Sequence, residues 1–148
     1  MSVSLYGSGQ TVLQVVNATY GTTTSTSSSS FVDTGLSASI TPQSTTSKIL
    51  VITNISGVTK GNSNAQVAGQ IVRGSTSILV FEDVALSSNT VQASGCMGAS
   101  YLDSPSTTSS TTYKIQFSVP NSGGSVNINY NGNFTCYSTL TLLEISGS

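Results

Sequence analysis

The sequence predicts an all-β fold, an antiparallel β-sandwich of jelly-roll type with about nine or ten short strands, and three observations carry that expectation. Apolar side chains make up 36% of the chain and fall in short runs rich in Val, Ile, Leu and aromatics. Stretches of Ser, Thr, Gly and Asn separate those runs, and 14 Gly against 3 Pro suit many turns rather than a collagen-like or polyproline shaft. No window places apolar residues at i, i+3, i+4 and i+7 with good helix formers between them, so no helix is expected. At 148 residues one core suffices, and the chain divides into a short N-terminal arm, residues 1–10, and one sandwich domain, residues 11–148.

The first convincing strand covers residues 11–19. Residues 22–30 are almost wholly Ser and Thr; Thr favours extended backbone and Phe31-Val32 follow, so part of this run is expected as an edge strand. A strand at 36–41 and a turn at 42–47 lead to the strongest strand, 48–56, where four consecutive apolar residues, Ile49 to Ile52, predict burial on both faces. Residues 66–73 and 77–81 flank Gly74-Ser75-Thr76 as a hairpin, and a further strand spans 91–102. Tyr113, Ile115, Phe117 and Val119 alternate with Lys114, Gln116 and Ser118, the cleanest period-two pattern in the chain. After a turn at 121–124, Val126, Ile128 and Tyr130 alternate with Asn127, Asn129 and Asn131, which predicts a second hairpin. Residues 137–145 form the last strand.

The chemical inventory argues against catalysis. There is no His, charged residues are 6% of the chain, and roughly a third of all residues are Ser or Thr. A nucleophilic Ser needs a base, which His most often supplies, and a glycosidase needs two carboxylates facing one cleft. Of the five carboxylates, Asp33, Glu82, Asp83, Asp103 and Glu144, the adjacent Glu82 and Asp83 would point to opposite faces of a strand, and no spacing brings Asp103 to Asp33 or Glu82. Two distant cysteines and dispersed acids form no zinc spacing and no calcium loop, so neither metal nor cofactor is expected. Four scattered cations, Lys48, Lys60, Arg73 and Lys114, do not make a nucleic-acid surface, and no apolar run approaches the ~20 residues of a membrane helix. Residues 1–5 lack the basic and apolar regions of a secretory signal, so synthesis in a cytoplasm is expected, and with it free, buried thiols at Cys96 and Cys136. Sequons at Asn17, Asn54 and Asn133 are expected by chance in so Ser/Thr-rich a chain.

Four groups of residues stand out. Glu144 lies inside Leu140-Thr-Leu-Leu-Glu-Ile, where a carboxylate needs a partner, and Arg73 is the natural candidate for an ion pair locking two strands or two subunits. Leu5 and Tyr6 precede Gly7-Ser8-Gly9, an apolar arm on a hinge suited to adding a strand to a neighbour's sheet edge. Tyr101 with Asp103, and Tyr130 with Asn129 and Asn131, are places where a ring and polar side chains would bind sugar, although such groupings also arise as ordinary loop surface.

Three segments together carry a resemblance. Leu13-Gln-Val-Val16, then Phe31-Val-Asp-Thr-Gly-Leu-Ser-Ala-Ser-Ile-Thr-Pro42 running on to Ser47-Lys-Ile-Leu-Val51, resemble the opening of a domain common in tailed-phage structural proteins, especially from aquatic environments. Tyr101-Leu-Asp-Ser-Pro105 followed by Thr111-Thr-Tyr-Lys-Ile-Gln-Phe117, and the closing Leu140-Thr-Leu-Leu-Glu-Ile145, are similar to the rest of that domain. The resemblance covers the chain from Leu13 onward and rests on strand and turn residues, so it implies a shared fold and a virion setting rather than a catalytic site. Members of that family are usually tail-fibre or virion structural proteins. For a chain this small the expectation is a capsid decoration (cement) protein on the particle exterior, trimeric by the virion analogy and by strands apolar on both faces, whose partners are its own copies and the major capsid protein or other virion proteins. The short leader and the lack of a heptad shaft favour that role over a long fibre; a separately encoded fibre tip binding host surface glycans is the rival expectation.

Overall fold

A computed structural model describes residues 9–60, 65–81, 93–121, 123–130 and 132–147. Its ten strands are β1 (Val12–Tyr20), β2 (Thr24–Thr26), β3 (Val32–Ile40), β4 (Lys48–Lys60), β5 (Ala68–Arg73), β6 (Thr76–Phe81), β7 (Ala93–Asp103), β8 (Thr111–Ser118), β9 (Val126–Ile128) and β10 (Ser138–Ile145), with no helix among the described residues. They form two antiparallel sheets packed face to face. One is ordered β3-β8-β5-β6; the other runs β1-β10-β4-β7, with β2 and β9 continuing the lines of β1 and β10. The pairs β1·β10, β3·β8, β4·β7 and β5·β6 are nested in the chain, the wrapped-hairpin connectivity of a jelly roll.

Period-two alternation places one set of side chains between the sheets. Ile49, Val51 and Ile55 of β4, Leu140 and Leu142 of β10, and Val126 and Ile128 of β9 meet Ile71 of β5, Tyr113, Ile115 and Phe117 of β8, and Leu36 and Ile40 of β3. The sandwich class, the edge strand within the Ser/Thr run, the turn at 42–47 and the hairpin at Gly74 agree with the sequence reading.

Two local readings need correction. β4 is not buried on both faces: Ile49 and Val51 point inward, while Leu50 is half-buried and Ile52 is 41% exposed on the outer face. β8 and β9 do not pair as a hairpin, because they lie in different sheets and the chain crosses the sandwich between them. Both strands alternate, but each alternates against the same core from opposite sides.

β4 runs for 13 residues and carries β7 along one edge. Its other edge is shared, with β10 opposite Lys48 to Asn54 and β9 opposite Thr59 and Lys60. A register shift between Ile55 and Val58 marks the junction. Gly57 sits there at φ 58°, and a Cβ on it would stand 2.7 Å from the backbone nitrogen of Tyr130. Only glycine meets both demands without strain. Gly57→Ala is therefore expected to lower stability by about 1–3 kcal/mol, read as a lower denaturant midpoint with an unchanged m value.

Candidate functional site

Two carboxylates point inward at one end of the sandwich, on a row formed by Gln14, Glu144, Ile49 and Asp103 across β1, β10, β4 and β7. Arg73 pairs with Asp103, at 2.8 Å, and not with Glu144. Register decides this: Arg73 of β5 stands opposite Tyr113 of β8, and both reach across the sandwich to β7, with Tyr113 Oη donating to Asp103 Oδ2 at 2.7 Å. Burial and the adjacent Asp103 carboxylate push the Tyr113 phenol far above its ordinary range, so it remains a donor.

Glu144, fully buried, finds its partners on the turn that links the two sheets. It accepts from Gln14 Nε2 at 2.5 Å and from the Gln43 backbone N–H at 2.7 Å, beside Ser44 and Ser47. The Ser47 hydroxyl is buried without a hydrogen bond of standard geometry, yet lies near enough to favour the carboxylate. Burial pushes the Glu144 carboxyl upward, but these donors outweigh it and hold the group below its ordinary value. Ile49 separates the two acids by two strand spacings, about 10 Å, and each is occupied by protein donors, so the row is a structural lock rather than an acid/base pair. Asp33 lies on the outer face of the other sheet, facing no cleft in common with Asp103, and Glu82 and Asp83 lie outside the described residues. The hollow beside Asp33 and Lys114 holds about 80 Å³, well under the ~300 Å³ where ligand pockets begin. Among the described residues no three His, Cys, Asp or Glu side chains gather to hold a metal.

The two outer faces differ in kind. On the β3-β8-β5-β6 sheet, Ser77 donates to Gln70, Gln70 to Gln116, and Gln116 and Lys114 to Asp33, a polar ladder across four strands. Lys114 and Gln116 hold the Asp33 carboxyl below its ordinary value. On the opposite sheet the register aligns Val15, Leu143, Leu50 and Leu102 in one outward row across β1, β10, β4 and β7. Val15 is 58% and Leu102 39% exposed, Ile52 joins from the next row, and Lys48 at the border turns to Ser104 Oγ at 2.7 Å. An apolar row spanning a whole sheet face is the surface a second molecule would cover.

At the other end of that face the chain leaves the sheet. Between β9 and β10 the described residues 129, 130 and 132–137 lie outside the strands, beside the bulge of β4, and the loop is tied at its base. Asn129 N–H donates to Ser56 O, Asn129 Nδ2 to Thr22 O, and Ser138 Oγ to Asn129 Oδ1, while Ser138 Oγ also accepts from Ser56 N–H. Asn129 is thus buried and fully engaged, in the left-handed region that Asn tolerates at φ 56°, and is not a sugar ligand. Asp103 is likewise spent, which removes the Tyr101 grouping; Asn131 lies outside the described residues. Tyr130 is exposed, but its companions are Phe134 and Tyr137, 74% and 60% exposed; the sequence reading missed Phe134 because it has no periodic pattern and took Tyr137 as the first residue of the last strand, which begins at Ser138. The bunching of three rings within eight residues was the available signal.

Leu5, Tyr6 and Gly7 of the proposed arm lie outside the described residues; Gly9 is within them, exposed, at φ 138°. Cys96 and Cys136 are both free, but neither is buried: Cys96 faces outward on β7 and is exposed. Compared with known proteins, the chain matches no family model and no curated protein.

Two outcomes are expected. Because the Glu144 carboxyl titrates below its unfolded value, near 4.5, its contribution is complete above that pH and is lost as pH falls through the lowered folded value. Unfolding of Glu144→Gln should therefore show a shallower loss of stability below pH 4.5 than wild type, with a cost of about 1–3 kcal/mol at pH 7. Alkylation of the native protein without reductant should modify Cys96 rapidly and half-buried Cys136 more slowly, read by intact mass.

Proposed function

We propose that this chain is a non-enzymatic structural protein of a bacteriophage particle, a sandwich that assembles as a homotrimer and decorates the capsid exterior. The observation that supports it most is the outward apolar row Val15-Leu143-Leu50-Leu102, set against the hydrogen-bonded polar ladder of the opposite face. One face is finished for water and the other is suited to a partner. The row carries no charge, so a second copy of the same face is a fitting mate, and cyclic association is the ordinary way to cover such surplus. The virion setting and the trimer follow from the sequence resemblance. The jelly roll, a fold of many viral capsid and lectin domains, is compatible with that setting at the level of analogy. Inward carboxylates consumed by structural donors leave the described residues without an acid/base pair.

Light scattering of the purified chain should report a trimer, and Val15→Asp combined with Leu102→Asp should yield a folded monomer with the same far-UV dichroism. A monomer at every practical concentration would end the trimer reading. In a cryo-EM map of the particle, density is expected at capsid three-fold positions; density at the tail tip would instead identify a receptor-binding module.

A further inference from the structure

We propose that Tyr130 and residues 132–137 between β9 and β10, with the adjoining turn at Gly21, form a binding site for a neutral saccharide. This inference goes beyond assembly and does not rest on it. Among the described residues, the three most exposed aromatic residues sit on this one loop: Phe134 at 74%, Tyr137 at 60% and Tyr130 at 41%. The other described rings are all more buried than these, so the clustering is not a general habit of the surface.

The rings are held rather than trailing. Asn129 and Ser138 close the base of the loop, and Tyr130 N–H donates to Gly57 O at 3.0 Å. Tyr137 lies over Gly21, where an added Cβ would stand 2.6 Å from its Cε1 atom. The Cδ1–Cε1 edge of that ring therefore lies against the Gly21 position while the side chain remains 60% exposed. A flat ring held along one edge and otherwise open suits the C–H face of a pyranose, which is apolar, while the sugar's rim needs groups that both donate and accept. Thr22, Asn133 and Thr135, all exposed, border the rings and supply such groups.

Charge narrows the ligand class. Residues 19–31 and 120–143 contain no Asp, Glu, Lys or Arg, so nothing in these segments would recognise a uronate, sialate or phosphate. The loop is also separate from the apolar row. Gly21 and Tyr137 lie six residues along the strands from Val15 and Leu143, about 20 Å. The intervening outward positions include Asn17, Thr141, Thr19, Thr139 and Asn54.

Saturation-transfer NMR with cellotetraose, maltotetraose, mannotetraose and chitotetraose, and with tetragalacturonate as the acidic control, tests the site. Transfer to pyranose C–H protons of at least one neutral tetraose, with none to the control, is expected. Phe134→Ala and Tyr137→Ala should each weaken binding about tenfold or more. Tyr137→Phe should retain binding because the ring remains, and Gly21→Ala should weaken it because the new Cβ lifts that ring. Unchanged thermal melts would show that the variants are folded. The proposal is overturned if no neutral tetraose receives saturation, if tetragalacturonate binds equally, or if ring removal leaves binding intact. It is also overturned if Phe134→Ala or Tyr137→Ala dissociates the oligomer, which would make the loop a subunit contact. Gain or loss of saccharide binding does not bear on the Val15/Leu102 test, so the two readings fail separately.

Discussion

β4 is the constraint on which the rest of the molecule depends. It is long enough to pair with β7 along one edge and with two successive strands, β10 and β9, along the other. Because two segments separated by residues 129–137 share that edge, the chain between them has to leave the sheet, and the register shift at Ile55–Val58 is where it does so. Gly57 permits the close approach of the Tyr130 backbone, and Ser56 and Ser138 fasten the two sides of the gap. The break in β1 between Tyr20 and Thr24 follows the same line, since β1 pairs with β10 and β2 with β9. A single bulge thus produces both the continuity of the core and, among the described residues, the place where the most exposed rings gather.

With four cations and five acids, the molecule uses its charges as fasteners. Asp103 joins β7 to Arg73 and Tyr113 of the opposite sheet, and Glu144 gathers the turn that carries the chain from β3 into β4. Asp103 binds across the sandwich, and at the same end Glu144 satisfies the Gln43 backbone N–H of the turn that crosses between the sheets. Uncharged hydrogen bonds extend the pattern: Thr34 Oγ1 donates to Ile115 O between β3 and β8, and Ser39 meets Thr112 on the same pair. The abundance of Ser and Thr thus serves strand pairing and turn closure as well as the wetted surface.

The asymmetry between the faces connects this construction to function. A ladder of side-chain hydrogen bonds satisfies the β3-β8-β5-β6 face from within, whereas the opposite face presents Val15, Leu143, Leu50 and Leu102 with no polar group among them. Assembly through that face and recognition through the loop at its far end would place the two activities on one sheet without overlap. A phage-particle setting is where the sequence resemblance points, and a scaffold with a small recognition loop is economical there, since copy number multiplies weak contacts.

The sequence by itself determined the class of fold, the position of most strands, the turns at 42–47 and at Gly74, and the need of Glu144 for partners. Those follow from alternation over two residues and from turn chemistry, which are local. What it left undecided was non-local. Alternation at Tyr113–Val119 and at Val126–Ile128 reads the same whether two strands pair in one sheet or face each other across the core, so only the tertiary structure separated β8 from β9. The run Ile49 to Ile52 is equally consistent with burial on one face or two, and the structure leaves Leu50 half-buried and Ile52 exposed on the outer face. The sequence matched Arg73 to Glu144, but the register of β5 against β8 gave Arg73 to Asp103 while the inter-sheet turn took Glu144. Phe134 carried no period and Tyr137 read as a strand residue; the contact of Tyr137 with Gly21 belongs to the tertiary structure, beside the register shift where two strands share the edge of β4.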